Sequence, residues 1–218
     1  MFRIKICGIT NVDDALAVAR AGADAVGLNF YARSPRYITP DVARTIVQTL
    51  PAGIVKVGLF VDTPADQVCR LFDDLQLDLI QLHGDQPPEF LAQLGNRPAM
   101  RAFRVGPEGL QPVTAYLIRC CELATLPKLV MIDSLMAGEY GGTGKVADWS
   151  VAQGYAATSD VPPLVLAGGL APENVAEAIR TVRPAAVDVA SGVESQPGRK
   201  DPVALGRFIE AARGAFCS

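Results

Sequence analysis

The chain has 218 residues, half of them apolar, and its 20 basic and 23 acidic side chains leave a formal net charge of −3. This balance argues against a basic surface of the kind that binds nucleic acids or anionic membranes. No apolar run approaches the roughly 20 residues that cross a bilayer, and the N-terminus enters a strand-like pattern without a signal peptide. We therefore expect a cytoplasmic protein with no nucleic-acid or membrane partner.

The cysteines indicate neither a disulfide framework nor a zinc site. There are five of them, irregularly spaced and without a CxxC pair. Small disulfide-stapled domains carry even sets of cysteines, and zinc sites carry closely paired ligands. No metal site is therefore expected.

Eight apolar runs with the character of β-strands follow one another along the chain, and each precedes a stretch with apolar residues at helical spacing. The strands are predicted near residues 3–7, 24–28, 54–61, 78–82, 99–103, 128–132, 163–167 and 186–190. The pairs Thr39-Pro40 and Thr63-Pro64 each predict a helix start, with the threonine as N-cap and the proline in the first helical position.

This alternation predicts a parallel sheet, because parallel neighbours require a crossover long enough to hold a helix. Eight units predict an α/β fold of the (β/α)8 TIM-barrel type, as a single catalytic domain over residues 1–218. A doubly wound open sheet uses the same units, and the count of eight favours the closed barrel.

Residues that could carry chemistry cluster directly after the predicted strands. Cys7 ends the first strand, the segment NFYARSPRY follows the second, His83 follows the fourth and Asp133 the sixth. The segments AGG and DVASGVE follow the seventh and eighth strands. In a (β/α)8 barrel all these positions open onto the face that holds the active site.

Three glycine-rich loops, after the sixth, seventh and eighth strands, predict a phosphate site. Glycine lets backbone N–H groups approach an anion closely, and barrels of this type often bind phosphate after the last two strands. Each loop alone could simply be a tight turn, but three together favour a small phosphorylated ligand. The residues predicted to bind the phosphate are Gly142, Gly144, Gly168, Gly169, Ser191 and Gly192.

The motifs of this chain resemble those of a known family, phosphoribosylanthranilate isomerase of tryptophan biosynthesis. They are KICGIT, SPRY, VGLFVD, QLHGD, IDS followed by GGTG and DW, LAGGLAPENV, and VDVASGVES followed by PG and KD. They occur in the family's order and extend from Lys5 to about Asp201.

This resemblance implies a (β/α)8 barrel that performs an Amadori rearrangement of N-(5-phosphoribosyl)anthranilate without a cofactor or metal. Cys7 would be the general base and Asp133 the general acid. Arg36 would contact the anthranilate carboxylate, Asp188 would lie close to the sugar hydroxyls, and His83 would be a polar residue lining the site. The sequence leaves both a monomer and a homodimer open, because apolar barrel helices look alike whether they face a partner or pack against their neighbours.

The residue types suit this reaction. A carboxylic acid such as Asp133 can protonate the ring oxygen as the furanose opens, and a thiolate such as Cys7 can then remove the acidified proton at C2. Taken without the motifs, Cys7 could be a small buried hydrophobe, Asp133 a turn former and Arg36 a surface charge.

Two other kinds of function fit parts of the pattern. The related isomerase of histidine biosynthesis uses two aspartates, whereas Cys7 ends the first strand here, and the lysine and glutamate set of indole-glycerol-phosphate synthase is not found. A barrel that only binds a phosphorylated metabolite would share the same loops. The presence of both an acid and a base candidate favours the enzyme.

Overall fold

A computed structural model describes residues 1–133 and 149–217. Eight parallel strands close into a barrel in which each strand pairs with the next and the last pairs with the first. The strands are β1 (Ile4–Cys7), β2 (Ala25–Asn29), β3 (Val55–Phe60), β4 (Leu79–Leu82), β5 (Ala99–Arg104), β6 (Leu129–Asp133), β7 (Leu164–Ala167) and β8 (Ala186–Val189). The predicted (β/α)8 TIM barrel is confirmed.

A helix follows each strand within the described part of the chain. The helices are α1 (Val12–Ala21), α2 (Pro40–Thr49), α3 (Ala65–Asp74), α4 (Pro88–Gln93), α5 (Gln111–Glu122), α6 (Ser150–Ala156), α7 (Val175–Val182) and α8 (Pro202–Phe216). None of these helices is long and apolar enough to cross a membrane.

Local sequence explains where several helices begin. Thr39 caps α2 by accepting a hydrogen bond from the backbone N–H of Val42, and Pro40 occupies the first turn, as predicted. The prediction for Thr63 is wrong by one residue. Pro64 itself is the N-cap of α3, and the Thr63 hydroxyl donates back to the carbonyl of Val61 instead.

Two apolar layers form the core. Side chains that point away from the barrel axis pack against the helices, and the inward set fills the barrel with residues such as Phe2, Val57, Met100 and Val165. Polar residues then replace apolar ones towards the carboxyl ends of the strands, where Lys5, Gln81 and Asp188 are buried. The apolar filling thus supports a polar layer at one end of the barrel.

A small hairpin follows the last barrel strand. A 3-10 helix (Ser191–Val193) leads from β8 into the antiparallel strands β9 (Glu194–Gln196) and β10 (Arg199–Lys200). This hairpin returns the chain to the end of β1, where Thr10 donates a hydrogen bond to the carbonyl of Gly198 at 2.5 Å.

Candidate active site

The carboxyl ends of the strands enclose a cavity of about 560 Å³. Gly142 and Gly144, predicted to bind phosphate, lie outside the described residues. The other predicted site residues all line this one cavity: Cys7, Arg36, His83, Asp133, Gly168, Gly169, Asp188, Ser191 and Gly192.

Cys7 lies beside a buried ion pair. It is the last residue of β1, and Lys5 precedes it on the same face of that strand. The register of β1 and β8 sets Lys5 opposite Asp188, and Lys5 Nζ lies 2.7 Å from Asp188 Oδ1. Because Lys5 has no exposed surface, this carboxylate supplies the partner that a buried ammonium requires.

The charges around Cys7 act in opposite directions. Burial raises the pKa of the Cys7 thiol, the Lys5 ammonium opposes that rise, and the Asp188 carboxylate adds to it, so that the pKa is raised overall. Burial also works against the charge on Lys5, but Asp188 and Cys7 raise the pKa of Lys5 overall. Lys5 is therefore charged, and the thiol form of Cys7 predominates at neutral pH.

The loop after β2 is folded by its own side chains. Asn29 accepts a hydrogen bond from the backbone N–H of Tyr31 at 2.9 Å and donates to Ser34 Oγ at 3.0 Å. Ser34 Oγ in turn accepts from the backbone N–H of Arg36 at 3.1 Å. The side chain of Arg36 then passes over Gly8, where a Cβ would collide with it.

Arg36 is held by the hairpin after β8. Its Nε and Nη2 donate to the two carboxylate oxygens of Glu194 at 2.8 and 2.6 Å. Glu194 also accepts from Lys200 Nζ at 2.8 Å, and Lys200 donates to the carbonyl of Cys7 at 2.7 Å. One buried carboxylate thereby joins the arginine to the backbone of the cysteine.

Burial and hydrogen bonding have opposite effects on the pKa of Glu194. Burial acts to raise its pKa, but the hydrogen bonds from Arg36 and Lys200 outweigh this and lower the pKa below its usual range. Glu194 is therefore ionised at neutral pH and offsets the charge of the two cations.

His83 and Asp133 face each other across the ends of β4 and β6, with His83 Nε2 3.8 Å from Asp133 Oδ2. Burial, followed by the charges of Arg104, Lys5 and Arg101, lowers the pKa of His83 to about 4. The ring is thus neutral at neutral pH. Gln81 Nε2 lies 3.4 Å from His83 Nδ1, and an imidazole that accepts there carries its proton on Nε2, towards Asp133.

The loops after β7 and β8 direct backbone groups to the cavity. Gly168 and Gly169 have φ values of 90° and 63°, which favour glycine. Asn174 braces the first loop through a hydrogen bond from its Nδ2 to the carbonyl of Gly169 at 2.9 Å. The backbone N–H groups of Gly169, Ser191 and Gly192 donate to no other described residue, so they can serve an anion.

Residues 4–211 match the family model of N-(5'-phosphoribosyl)anthranilate isomerase. The chain belongs to the N-(5'-phosphoribosyl)anthranilate isomerase family. The isomerase of this name from Geobacter sulfurreducens is 45% identical over 98% of this chain and 100% of that protein. The crystal structure of phosphoribosyl anthranilate isomerase from Thermotoga maritima is 42% identical, covers 98% of this chain and 100% of that chain, and has a TM-score of 0.84.

A further phosphoribosyl anthranilate isomerase structure was solved in complex with reduced 1-(o-carboxyphenylamino)-1-deoxyribulose 5-phosphate. It is 39% identical, covers 98% of this chain and 100% of that chain, and has a TM-score of 0.81. Membership of this isomerase family confirms the predicted activity, an aldose–ketose isomerisation in tryptophan biosynthesis. The histidine-pathway and binding-only alternatives are set aside.

The sequence did not single out several charged residues of this site. Glu194 and Lys200 form the network under Arg36, and Arg104 lies at the cavity wall beside His83. Lys5 lies in the motif KICGIT, but the sequence pattern assigns no role to it. Two signals were available: the lysine in an otherwise apolar strand, and the acidic and basic residues close to the last glycine loop.

Proposed function

We propose that in this member of the phosphoribosylanthranilate isomerase family Cys7 is the general base and Asp133 the general acid. The observation that carries the proposal is that both side chains line one cavity from the ends of β1 and β6. Around the closed barrel these two strands are separated by β7 and β8, so a substrate between them meets one group from each strand.

The loops after β7 and β8 lie between those two strands along the barrel. We assign the substrate phosphate to the N–H groups of Gly168, Gly169, Ser191 and Gly192. The N–H groups of Gly169, Ser191 and Gly192 donate to no other described residue. Together with the left-handed backbone of Gly168 and Gly169 they form the kind of concave nest that binds anions. With the phosphate held there, the ribose extends into the space between the acid and the base.

The other polar residues are assigned to the remainder of the substrate. Arg36 presents Nη1, which is not used by Glu194, to the anthranilate carboxylate. Asp188 presents Oδ2 to the sugar hydroxyls, since Oδ1 is paired with Lys5. His83 is a neutral group that faces Asp133 and lines the site without exchanging a proton with the substrate.

The reaction then follows from these positions. Asp133 donates its proton to the furanose oxygen as the bond from C1 to that oxygen breaks, which leaves an iminium ion. Cys7 as thiolate removes the proton from C2, and the electron pair of that bond neutralises the iminium as an enaminol. Transfer of the enol proton to C1 completes the aminoketose, which is an isomer of the substrate. Solvent then accepts the proton that Cys7 gained and returns one to Asp133, so both groups regain their starting forms.

The test is a pair of variants at the two strand ends. Cys7→Ser retains size but hardly ionises near pH 7, and Asp133→Asn has no carboxyl proton to donate. Each should reduce kcat by roughly 10²–10⁴-fold, the usual contribution of a positioned acid or base, with a smaller change in KM. Cys121→Ser is the matched control, because Cys121 is exposed on α5. Full activity in folded Cys7→Ser would refute the assignment of the base.

We also propose that residues 1–218 form one catalytic domain that works in the cytoplasm as a monomer or a homodimer, on a small phosphorylated substrate. The relative solved with a phosphorylated ligand supports the substrate class. A Thermotoga maritima relative, 39% identical, was crystallised as monomers of a dimeric enzyme, which supports both oligomeric states. Sedimentation equilibrium of the full chain distinguishes them.

A further inference from the structure

The Lys5 ammonium and the Cys7 sulfur converge on one point of the neighbouring strand. A Cβ built on Gly27 of β2 would lie 2.7 Å from Cys7 Sγ and 3.0 Å from Lys5 Nζ. The contact with Cys7 Sγ is shorter than real Cβ atoms show, and the contact with Lys5 Nζ is tighter than most of them, so glycine at this position leaves room for both groups. The two side chains therefore share one space inside the barrel wall.

Lys5 is fixed in that space from its other side. Lys5 Nζ donates a hydrogen bond to Asp188 Oδ1 at 2.7 Å, and both side chains are buried. Lys5 has no exposed surface, so its long side chain loses its rotamer freedom. It keeps its charge because it is paired with Asp188. Its position relative to Cys7 is thus set by strands on both sides of β1.

The other cationic side chains near Cys7 are hydrogen-bonded to groups other than its sulfur. Lys200 from β10 donates to two backbone carbonyls and to Glu194, and Arg36 from the loop after β2 is paired with that same carboxylate. Strand β2 brings Gly27 and no ionisable group next to Cys7. Asp188 from β8 is the carboxylate that disfavours a thiolate at Cys7. Lys5 is the cation that favours one most strongly.

We propose that Lys5 is a positioning residue of the isomerase, whose Asp188-anchored ammonium holds the Cys7 sulfur in place and stabilises its thiolate form. The proposal rests on the proposed role of Cys7 as the base. It explains why a chain would retain a costly buried charge in a strand that is otherwise apolar. It also gives Asp188 a second use, as the group that keeps Lys5 charged.

The test measures the thiol directly rather than through turnover. Cys7 is alkylated with iodoacetamide between pH 6 and 11, and its peptide is quantified by mass spectrometry in the wild type, Lys5→Met and Lys5→Gln. Loss of the positive charge of Lys5 next to Cys7 should move the alkylation midpoint of Cys7 upwards by about one to three pH units. The remaining Asp188 carboxylate acts in the same direction. Exposed Cys121 in the same digest is the internal control and should not shift.

Two further variants separate charge from structure. Lys5→Gln can still hydrogen-bond to Asp188, so it carries the test if Lys5→Met does not fold, and folding is checked by circular dichroism. Lys5→Arg keeps the positive charge and should retain a midpoint close to that of the wild type. An unchanged midpoint in a folded neutral variant, or an equal shift in Lys5→Arg, would overturn the proposal.

The acid limb of the kcat/KM profile should move with the alkylation midpoint. Activity and alkylation measured together also distinguish the proposed role of Cys7 as base from the proposed role of Lys5. If Cys7→Ser stays fully active while the neutral Lys5 variants still shift the alkylation midpoint, the assignment of the base fails but the coupling between Lys5 and Cys7 stands. If the midpoint does not move while Cys7→Ser is inactive, the base is retained and the role of Lys5 is refuted.

Discussion

Replacing Gly192 with alanine should separate the two loops that we assign to the phosphate. A Cβ at this position would overlap the carbonyl oxygen of Leu170 and lie 3.0 Å from the carbonyl carbon of Leu170 and 3.2 Å from Ala171 Cα. These are backbone atoms of the loop after β7, which cannot turn aside as a flexible side chain would. One loop must therefore move by a substantial part of an ångström.

Two effects of known size follow from this movement. Overpacking of a close backbone contact costs about 1–3 kcal/mol in unfolding free energy, which lowers Tm by roughly 2–12 °C for a chain of this length. A hydrogen bond to a charged group contributes about 1.5–3 kcal/mol, so displacement of one N–H donor should raise KM by roughly 10–150-fold. kcat should fall less, because Cys7 and Asp133 lie on other strands.

The assay compares steady-state KM, thermal unfolding and the Tm increase produced by inorganic phosphate. Gly206→Ala is the matched control, because Gly206 lies within α8 and a Cβ there meets no atom within 4 Å. Alanine in a helix should stabilise the protein by about 0.5–1 kcal/mol without changing KM. A Gly192→Ala enzyme with wild-type KM and the full response to phosphate would refute the assignment of this loop.

Two further predictions concern the buried charges of the site. Glu194→Gln should lower the unfolding free energy by about 3–5 kcal/mol and raise KM, because it leaves Arg36 and Lys200 without their shared carboxylate. The control is Glu89→Gln, which removes the carboxylate of an exposed ion pair and should change neither quantity. Similar effects of the two variants would contradict the reasoning. His83→Asn should flatten the acid side of the stability profile. The pKa of His83 in the folded state is lowered to about 4. The contribution of the neutral ring to the unfolding free energy is therefore fully present above about pH 6.5. As the pH falls towards 4 this contribution is lost, which lowers the unfolding free energy by up to about 3 kcal/mol. Denaturant unfolding from pH 4 to 7.5 measures this, and parallel profiles for the wild type and variant would rule it out.

The barrel and many of the residues that line its cavity could be predicted from the sequence because their signals are local. A strand buried on both faces reads as an apolar run, as in β6, and strand-end positions such as Cys7 and Asp133 follow from those runs. The charge network could not be predicted in this way. Lys5 meets Asp188 only because the barrel closes, and Arg36 meets Glu194 only because the hairpin after β8 returns to the loop after β2. The helix start at Thr63 failed for a local reason, since the chain enters α3 one residue later than the proline suggests.

The connection between the hairpin after β8 and the end of β1 has a consequence for protein synthesis. Lys200 holds the carbonyl of Cys7, and its own backbone N–H donates to Asp14 at 3.0 Å. Strand β1 therefore receives these neighbours from a segment that the ribosome makes 193 residues after Cys7. Domains generally fold as units once their sequence is available. A nascent chain that already carries Cys7 therefore cannot complete the surroundings of this residue until the segment with Lys200 has been made.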